Sequence, residues 1–364
     1  MHAPREEPAL SGAHNPLGGA RMTKPQMTLE TPIVVGCQVT NICNLDCKQC
    51  YTECSRSSPP GEMTFDEWKQ QIDYLADNGV VHLYFEGGDP LLRPDFLDLL
   101  RYAQKRFLLW FRTHATTMTP QLAKEIADIG LGRVVIDFFG TDAEMHDHLT
   151  GVPGSFERTW AGARLLRAEG VPVIPAAIVN RLNVPHLQRY VEFGTELEAE
   201  ELGLLRLYPI GAAKRNWAEL SPRPLDIIEA IAALDVPDGF RVMNGFHPHD
   251  ANCCWVNAHI TSTGDSIGCP YLRGMTNYGN VREVPFLETW GHPLYEQLRS
   301  QPIEGDCPEC TKNRMLSPGG CRSSAYTFTG RWDGADPYCP NMNYHDIDVT
   351  VLPGTRMLPV VDRG

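Results

Sequence analysis

The 364 residues are more than one small core requires and suit about two domains, and 42% hydrophobic with 21% charged residues is an ordinary globular composition. A formal net charge of −13, with no Lys- or Arg-rich run, argues against nucleic acid as a partner. No stretch of about 18 uninterrupted apolar residues occurs, so neither a membrane helix nor a membrane partner is expected.

Residues 1–30 are rich in Pro, Gly, Ala and charge and read as a flexible leader rather than a secretory signal. The cytoplasm is therefore the expected compartment. In that reducing setting the 12 cysteines point to metal or redox chemistry, with a disulfide-stapled secreted protein as the alternative. Beyond the leader, β-rich runs alternate with amphipathic segments. Strands are expected at 32–37, 81–85, 107–112, 134–139, 173–179 and 204–208. Thr64, with Glu67 three residues on, forms a capping box before a helix at 65–76. Pro94, Thr119-Pro120, Ser155 and Pro185 open further helices at 95–104, 121–129, 156–168 and 186–194.

Six strand–helix units in succession imply parallel strands with right-handed crossovers. The expected fold class is α/β, a partial (β/α)6 TIM-type barrel over residues 31–215. An open doubly wound sheet would give the same pattern, and either fold puts its chemistry at the carboxyl ends of the strands. Residues 216–250 read as a bridge containing a helix near 225–234. Residues 251–345 form a small Cys-, Gly- and Pro-rich domain, with strand signals only at 258–261 and 266–268, that needs metal as a staple; 346–364 is a tail.

Just past the first strand stands Cys43-Asn44-Leu45-Asp46-Cys47-Lys48-Gln49-Cys50. Three thiolates from one loop can converge on an inorganic cluster and leave one of four irons open. A closed ferredoxin-like cluster completed by Cys54 or Cys37, or a zinc site, are the alternatives. The loop resembles the CxxxCxxC signature of the radical S-adenosylmethionine (SAM) superfamily. The resemblance implies a 4Fe–4S cluster whose open iron chelates SAM and, once reduced, cleaves it to methionine and a 5′-deoxyadenosyl radical that abstracts hydrogen from substrate. An external electron donor of flavodoxin or ferredoxin type is implied with it. The residue before the third cysteine, usually aromatic or His in the family, is Gln49 here, with Tyr51 following Cys50.

Glu86-Gly87-Gly88-Asp89-Pro90, at the end of the second strand, is similar to the family's GGEP motif with Asp for Glu. Its glycines would let backbone groups approach the SAM ammonium. The stretch from Ile136-Asp137-Phe138 through His146-Asp147 to Gly154-Ser155-Phe156 resembles a further family segment and places Asp137 near SAM. The SAM contacts implied are thus Tyr51, Gly87, Gly88, Asp89 and Asp137. His114 and Asn183 follow the third and fifth strands at positions where a loop residue without a role is an equal expectation.

Seven cysteines close the chain: Cys253, Cys254, Cys269, Cys307, Cys310, Cys321 and Cys339. Cys254, nine residues, Gly264, four residues and Cys269 are followed by Cys307-Pro-Glu-Cys310, Gly-Gly-Cys321 and Asp-Pro-Tyr-Cys339-Pro. This order is similar to the SPASM extension, which holds auxiliary 4Fe–4S clusters. The resemblance assigns Cys254, Cys269 and Cys321 to one cluster and Cys307, Cys310 and Cys339 to another. Each lacks one familiar cysteine, with Ser317, His247 and His249 near the gaps, so one or two auxiliary clusters are expected; a zinc site is the alternative.

In peptide-oxidising SPASM enzymes an Asp directly after the second cysteine serves as base, whereas Pro270 follows Cys269 here. Tyr271, Lys214, Arg206 and Asp137 are other candidates, and no catalytic residue is singled out. Without that Asp, and with only about 30 residues before the barrel, the expected substrate is a small natural-product intermediate of sugar or nucleoside type. It would undergo oxidation, epimerisation or decarboxylation. A peptide maturase is the alternative, and a non-enzymatic iron–sulfur electron carrier is the reading from another class.

Overall fold

The computed structural model describes residues 29–244, 256–300, 320–334 and 336–338. Eight strands form one parallel sheet: β1 (Val34–Thr40), β2 (His82–Gly87), β3 (Leu108–Thr113), β4 (Arg133–Asp137), β5 (Val173–Val179), β6 (Glu201–Arg206), β7 (Arg241–Asn244) and β8 (Asn257–Ile260). Their order is β7-β6-β5-β4-β3-β2-β1-β8. From β1 to β7, neighbours in sequence are neighbours in space, without the reversal that defines a doubly wound sheet. A cavity of about 410 Å³ is lined by side chains from all eight strands. The sheet is therefore curled around a lumen, as in a partial TIM-type barrel.

The wall is two strands longer than the six expected. β7 falls in the presumed bridge. It has four residues, pairs only with Glu201–Leu204 on one side and leaves Met243 exposed, so it lacks the burial pattern that marks a strand in sequence. β8 coincides with the strand signal at 258–261, but its docking beside Val34–Cys37 of β1 joins residues more than 200 positions apart, which no local pattern announces. The second signal, at 266–268, yields only an isolated bridge between Ile260 and Ser266.

Helices α1 (Phe65–Asp77), α2 (Phe96–Ala103), α3 (Pro120–Ile129), α4 (Ala143–Thr150), α5 (Ser155–Ala168) and α6 (Leu187–Glu196) follow the first five strands. The capping box forms at α1: Thr64 Oγ1 accepts from Glu67 N at 3.3 Å, and Glu67 Oε2 accepts from Thr64 N at 2.7 Å. The apolar stripe of α1 buries Trp68, Ile72 and Leu75, each contributing about 1.5–3 kcal/mol. All seven residues of β5 are buried, as expected of a parallel strand covered on both faces. Helix α4 was not foreseen, because its buried residues include His146 and Thr150 rather than an apolar stripe.

The chain continues through α7 (Gly211–Arg215), α8 (Trp217–Leu220) and α9 (Pro224–Ala232), and after β8 through α10 (Phe286–Trp290), α11 (Pro293–Ser300) and α12 (Arg322–Thr329). A fully buried ion pair ties this last part to the barrel: Arg206, at the end of β6, reaches Asp336 at 2.6 Å. Tyr208 stacks on Tyr271 with ring centroids 3.8 Å apart beside it. Among the described residues no helix is long and apolar enough to cross a membrane.

Candidate active site

The carboxyl ends of β1 and β2 build the site. As the chain leaves β1, Cys43 N donates to Ser55 O (2.8 Å), so the cysteine loop closes on itself. Helix α4 holds the loop from one side, through Asp46 N to Thr150 O (2.8 Å) and Lys48 N to Leu149 O (2.9 Å). Asn216, between α7 and α8, holds it from the other, its Nδ2 donating to Lys48 O at 3.1 Å. Cys43, Cys47 and Cys50 thereby line one small hollow, together with Cys54, Gln49, Tyr51, Gly87, Gly88, His114 and Asp137. Among the described residues Cys37, Cys43, Cys47, Cys50 and Cys54 form no disulfide. Cys37 is fully buried in the core on β1 and does not line the hollow, so of the two cysteines near the motif only Cys54 joins it.

Gly87 and Gly88 are required for a reason the motif did not disclose. A Cβ on Gly88 would lie 2.0 Å from Ile42 O, and one on Gly87 would lie 2.5 Å from Thr40 O. The absent side chains let the end of β2 pack against the start of the cysteine loop, where Gly88 N donates to Thr40 O (2.9 Å) and Asp89 N to Ile42 O (2.8 Å). The Asp89 carboxylate does not line the hollow. It is fully buried, accepting from Thr113 Oγ1 (2.7 and 2.9 Å), His114 N (3.3 Å) and Leu91 N (3.0 Å), and lies 3.0 Å from His114 Nε2. It orients His114, whose Nε2 is 3.6 Å from Cys43 Sγ.

Asp137 lines the hollow but is paired with Arg112, whose Nε and Nη2 lie 2.5–2.9 Å from its carboxylate oxygens. Burial works against the Arg112 charge, and Asp137 more than offsets it, raising the guanidinium above its ordinary pKa. Tyr51 donates to Glu86 Oε1 (2.8 Å), the same oxygen that His259 Nε2 of β8 approaches at 2.8 Å. Burial would raise the Glu86 carboxyl, but His259, Arg112 and Tyr51 hold it below its ordinary value. Asn183 is fully buried and spans Asn180 N, Ile178 O and Tyr190 Oη, a loop brace outside the hollow. Of the candidate bases, Arg206 is locked to Asp336 and Asp137 to Arg112, Tyr271 lines the lumen, and Lys214 sits on α7.

The hollow and the lumen share Glu86 and Arg112. Below them the lumen presents Tyr84 stacked on Trp110 (4.5 Å, 10° between planes), with the Arg133 guanidinium 5.4 Å from the Trp110 ring. The sequence reading missed Glu86, Arg112 and Arg133 as lining groups, and His259 as the buried partner of Glu86. The signal was present in part: Tyr84 and Glu86, and Trp110 and Arg112, stand two apart on their strands and so share a face. Of the auxiliary candidates, Cys269 and Cys321 are both buried, and Cys321 Sγ lies 3.6 Å from Tyr208 Oη. Cys253, Cys254, Cys307, Cys310 and Cys339 lie outside the described residues.

Residues 37–193 match the family model of the radical SAM superfamily, and residues 253–311 that of the SPASM iron–sulfur cluster-binding domain. The AdoMet-dependent heme synthase of Methanosarcina barkeri is 30% identical over 340 residues, covering 85% of this chain and 96% of that protein. The chain is a radical SAM enzyme with a SPASM domain. A PqqA peptide cyclase of Granulibacter bethesdensis is 24% identical over 338 residues, covering 88% of this chain and 90% of that protein. Streptococcus suis SuiB in its SAM-bound crystal form shares the fold, with a TM-score of 0.68 at 16% identity over 86% of this chain and 78% of its own.

This radical SAM enzyme uses a SAM-binding 4Fe–4S cluster and auxiliary SPASM clusters. The hollow fits the first of these groups. Its donor set is three soft thiols, Cys43, Cys47 and Cys50, lining one hollow, which suits the separate irons of a cluster. Gln49 is 2% exposed and neither amide atom is hydrogen-bonded among the described residues, so a polar ligand group would find a partner there.

Proposed function

We propose that this radical SAM enzyme abstracts hydrogen from an acidic, ring-bearing small molecule held in the lumen. Cys43, Cys47 and Cys50 hold the cluster in this reading. Tyr51, Asp137 and the backbone of Gly87–Asp89 border SAM. Bound there, the reduced cluster and SAM supply the 5′-deoxyadenosyl radical, and a flavodoxin- or ferredoxin-type donor supplies the electron. Cys269 and Cys321, with Cys254, serve an auxiliary cluster, and Cys307, Cys310 and Cys339 serve a second.

The observation that carries the substrate reading is the lining of the lumen. Its volume of about 410 Å³ suits a small molecule. The Tyr84–Trp110 pair offers a flat wall for a ring, and Arg133 has no carboxylate partner among the described residues. Arg112 and Glu86 are by contrast already paired. Arg133 stands four residues below Asp137 on β4, about 13 Å along the strand, so an acidic group about that far from the reacting carbon would meet it. Sugar and nucleoside acids satisfy this description, and so does a carboxylated tetrapyrrole, which the likeness to heme synthases favours. The likeness to a PqqA peptide cyclase supports the second reading, a peptide substrate.

The test is anaerobic reconstitution, with iron and sulfide counted and 5′-deoxyadenosine followed under dithionite. Carboxylated porphyrins, nucleotide sugars and synthetic peptides are then compared as accelerators of its formation. Acceleration by an acidic ring compound, lost in Arg133→Leu, supports the reading. Acceleration by peptides alone overturns it in favour of the second.

A further inference from the structure

The hollow holds four thiols, one more than the three that the motif supplies. Cys54 lines it beside Cys43, Cys47 and Cys50. Thr52 Oγ1 stands between the last two thiols of the loop, 3.2 Å from Cys50 Sγ and 2.6 Å from Cys54 Sγ. The chain is bent to achieve this. Glu53, directly before Cys54, has φ +53°, a left-handed conformation that costs a non-glycine residue of order 1 kcal/mol. Directly after Cys54, Ser55 is fixed by two backbone hydrogen bonds, Ser55 N to Asn41 O (3.1 Å) and Cys43 N to Ser55 O (2.8 Å). A strained residue on one side and a pinned one on the other hold a thiol where a surface loop would ordinarily carry none. The unpartnered Gln49 amide in the same hollow independently marks it as space for a ligand.

We propose that Cys54 is a reversible fourth ligand, capping the open iron of the cluster while SAM is absent and yielding it when SAM binds. Capping forms an iron–sulfur bond and releases the thiol proton. SAM breaks that bond by occupying the iron with its amino and carboxylate groups, and the freed sulfur takes a proton back, so no electron is transferred. A bare iron is the one a cluster loses first to oxidants, and the cap shields it between turnovers. The cost is competition: SAM must displace the thiolate, which weakens its apparent affinity by the fraction of time the iron is uncapped.

The inference rests on the reading that Cys43, Cys47 and Cys50 hold the cluster, and the two fail differently. If that reading fails, Cys43→Ala keeps the SAM-responsive cluster. If only the inference fails, that cluster is lost in Cys43→Ala but behaves alike in wild type and Cys54 variants. The experiment is Mössbauer spectroscopy of the ⁵⁷Fe-reconstituted full chain with and without SAM, where the SAM difference spectrum isolates this cluster from the auxiliary ones. Wild type without SAM is expected to show four thiolate-type irons, one of which changes on SAM addition. Cys54→Ala and the size-matched Cys54→Ser should show a differentiated iron from the start. They should convert to the three-iron form faster on mild oxidation, and bind SAM about tenfold more tightly if the cap is in place nine-tenths of the time. A differentiated iron already present in SAM-free wild type overturns the proposal without need of any variant, as does equal SAM affinity in wild type and both variants.

Discussion

The two cysteine-bearing regions of this radical SAM enzyme are built in opposite ways. At the N-terminal site the thiols of Cys43, Cys47 and Cys50 come from eight consecutive residues, braced by backbone hydrogen bonds to α4 and by the end of β2. At the C-terminal site Cys269 and Cys321 are 52 positions apart, and the segment carrying Cys321 is fastened to the barrel by the buried Arg206–Asp336 pair. The first is a local structure that a motif can describe. The second exists only once distant parts of the chain have folded together, and a fully buried charge pair is a costly way to achieve that unless both partners are present.

The largest expected effect separates the two regions directly. Cys43→Ala, Cys47→Ala or Cys50→Ala should reduce SAM cleavage to background. Cys269→Ala or Cys321→Ala should retain dithionite-driven 5′-deoxyadenosine formation while about four irons per chain are lost. Loss of cleavage in both sets, with both proteins folded, would merge the sites into one functional unit and break the comparison.

Next in size is the fastening itself. Asp336→Ala removes the buried carboxylate that faces the Arg206 guanidinium, and is expected to cost up to about 3–5 kcal/mol in denaturant unfolding. Arg206→Met combined with Asp336→Leu should recover only part of that loss: the desolvation penalty leaves with both charges, but Cys321 N and Tyr338 N lose the carboxylate they donate to. An Asp336→Ala protein as stable as wild type would mean that the C-terminal segment is held by its apolar contacts alone, such as Phe328 beside Trp217.

The same contrast explains what the sequence disclosed. The alternation of β1–β6 with helices, the capping box at Thr64 and the cysteine loop were legible because each is specified within a dozen residues. The placement of β8 beside β1, and the convergence of His259 on Glu86, join parts of the chain more than 170 residues apart and were not. Asp89 illustrates the intermediate case. Its position in the motif was legible, but its partners Thr113 and His114 come from the end of the next strand and the turn after it, so the bracing role of its buried carboxylate was not.

A smaller effect tests how rigid the N-terminal site is. His146, on α4, accepts from Phe139 N (3.3 Å) through Nδ1, and its buried Nε2 has no partner among the described residues. Burial lowers its pKa from 6.5 to about 4. Above pH 6.5 the ring is neutral in both folded and unfolded chains and contributes no pH dependence. As pH falls from 6.5 towards 4 the unfolded chain takes up the proton first, so stability is lost across that window, by up to about 3 kcal/mol. His146→Gln should flatten the slope. An unchanged slope would mean that the α4 end opens to water, and that the support of the cysteine loop is looser than that of the C-terminal segment.

The smallest effect tests the local end of the comparison by itself. Thr64 and Glu67 satisfy each other's backbone donors at the start of α1, and Arg282, from the C-terminal half, reaches the same Glu67 carboxylate at 2.6 Å. Thr64→Ala should cost about 1 kcal/mol, the ordinary worth of a helix cap. Arg282→Ala should cost less than about 1 kcal/mol, because that pair is partly exposed. The double variant decides whether the cap is purely local. If the two losses add, the capping box stands without the C-terminal half. If Thr64→Ala costs nothing once Arg282 is gone, the arginine is what holds Glu67 in the capping position, and even this short-range motif depends on the distant part of the chain.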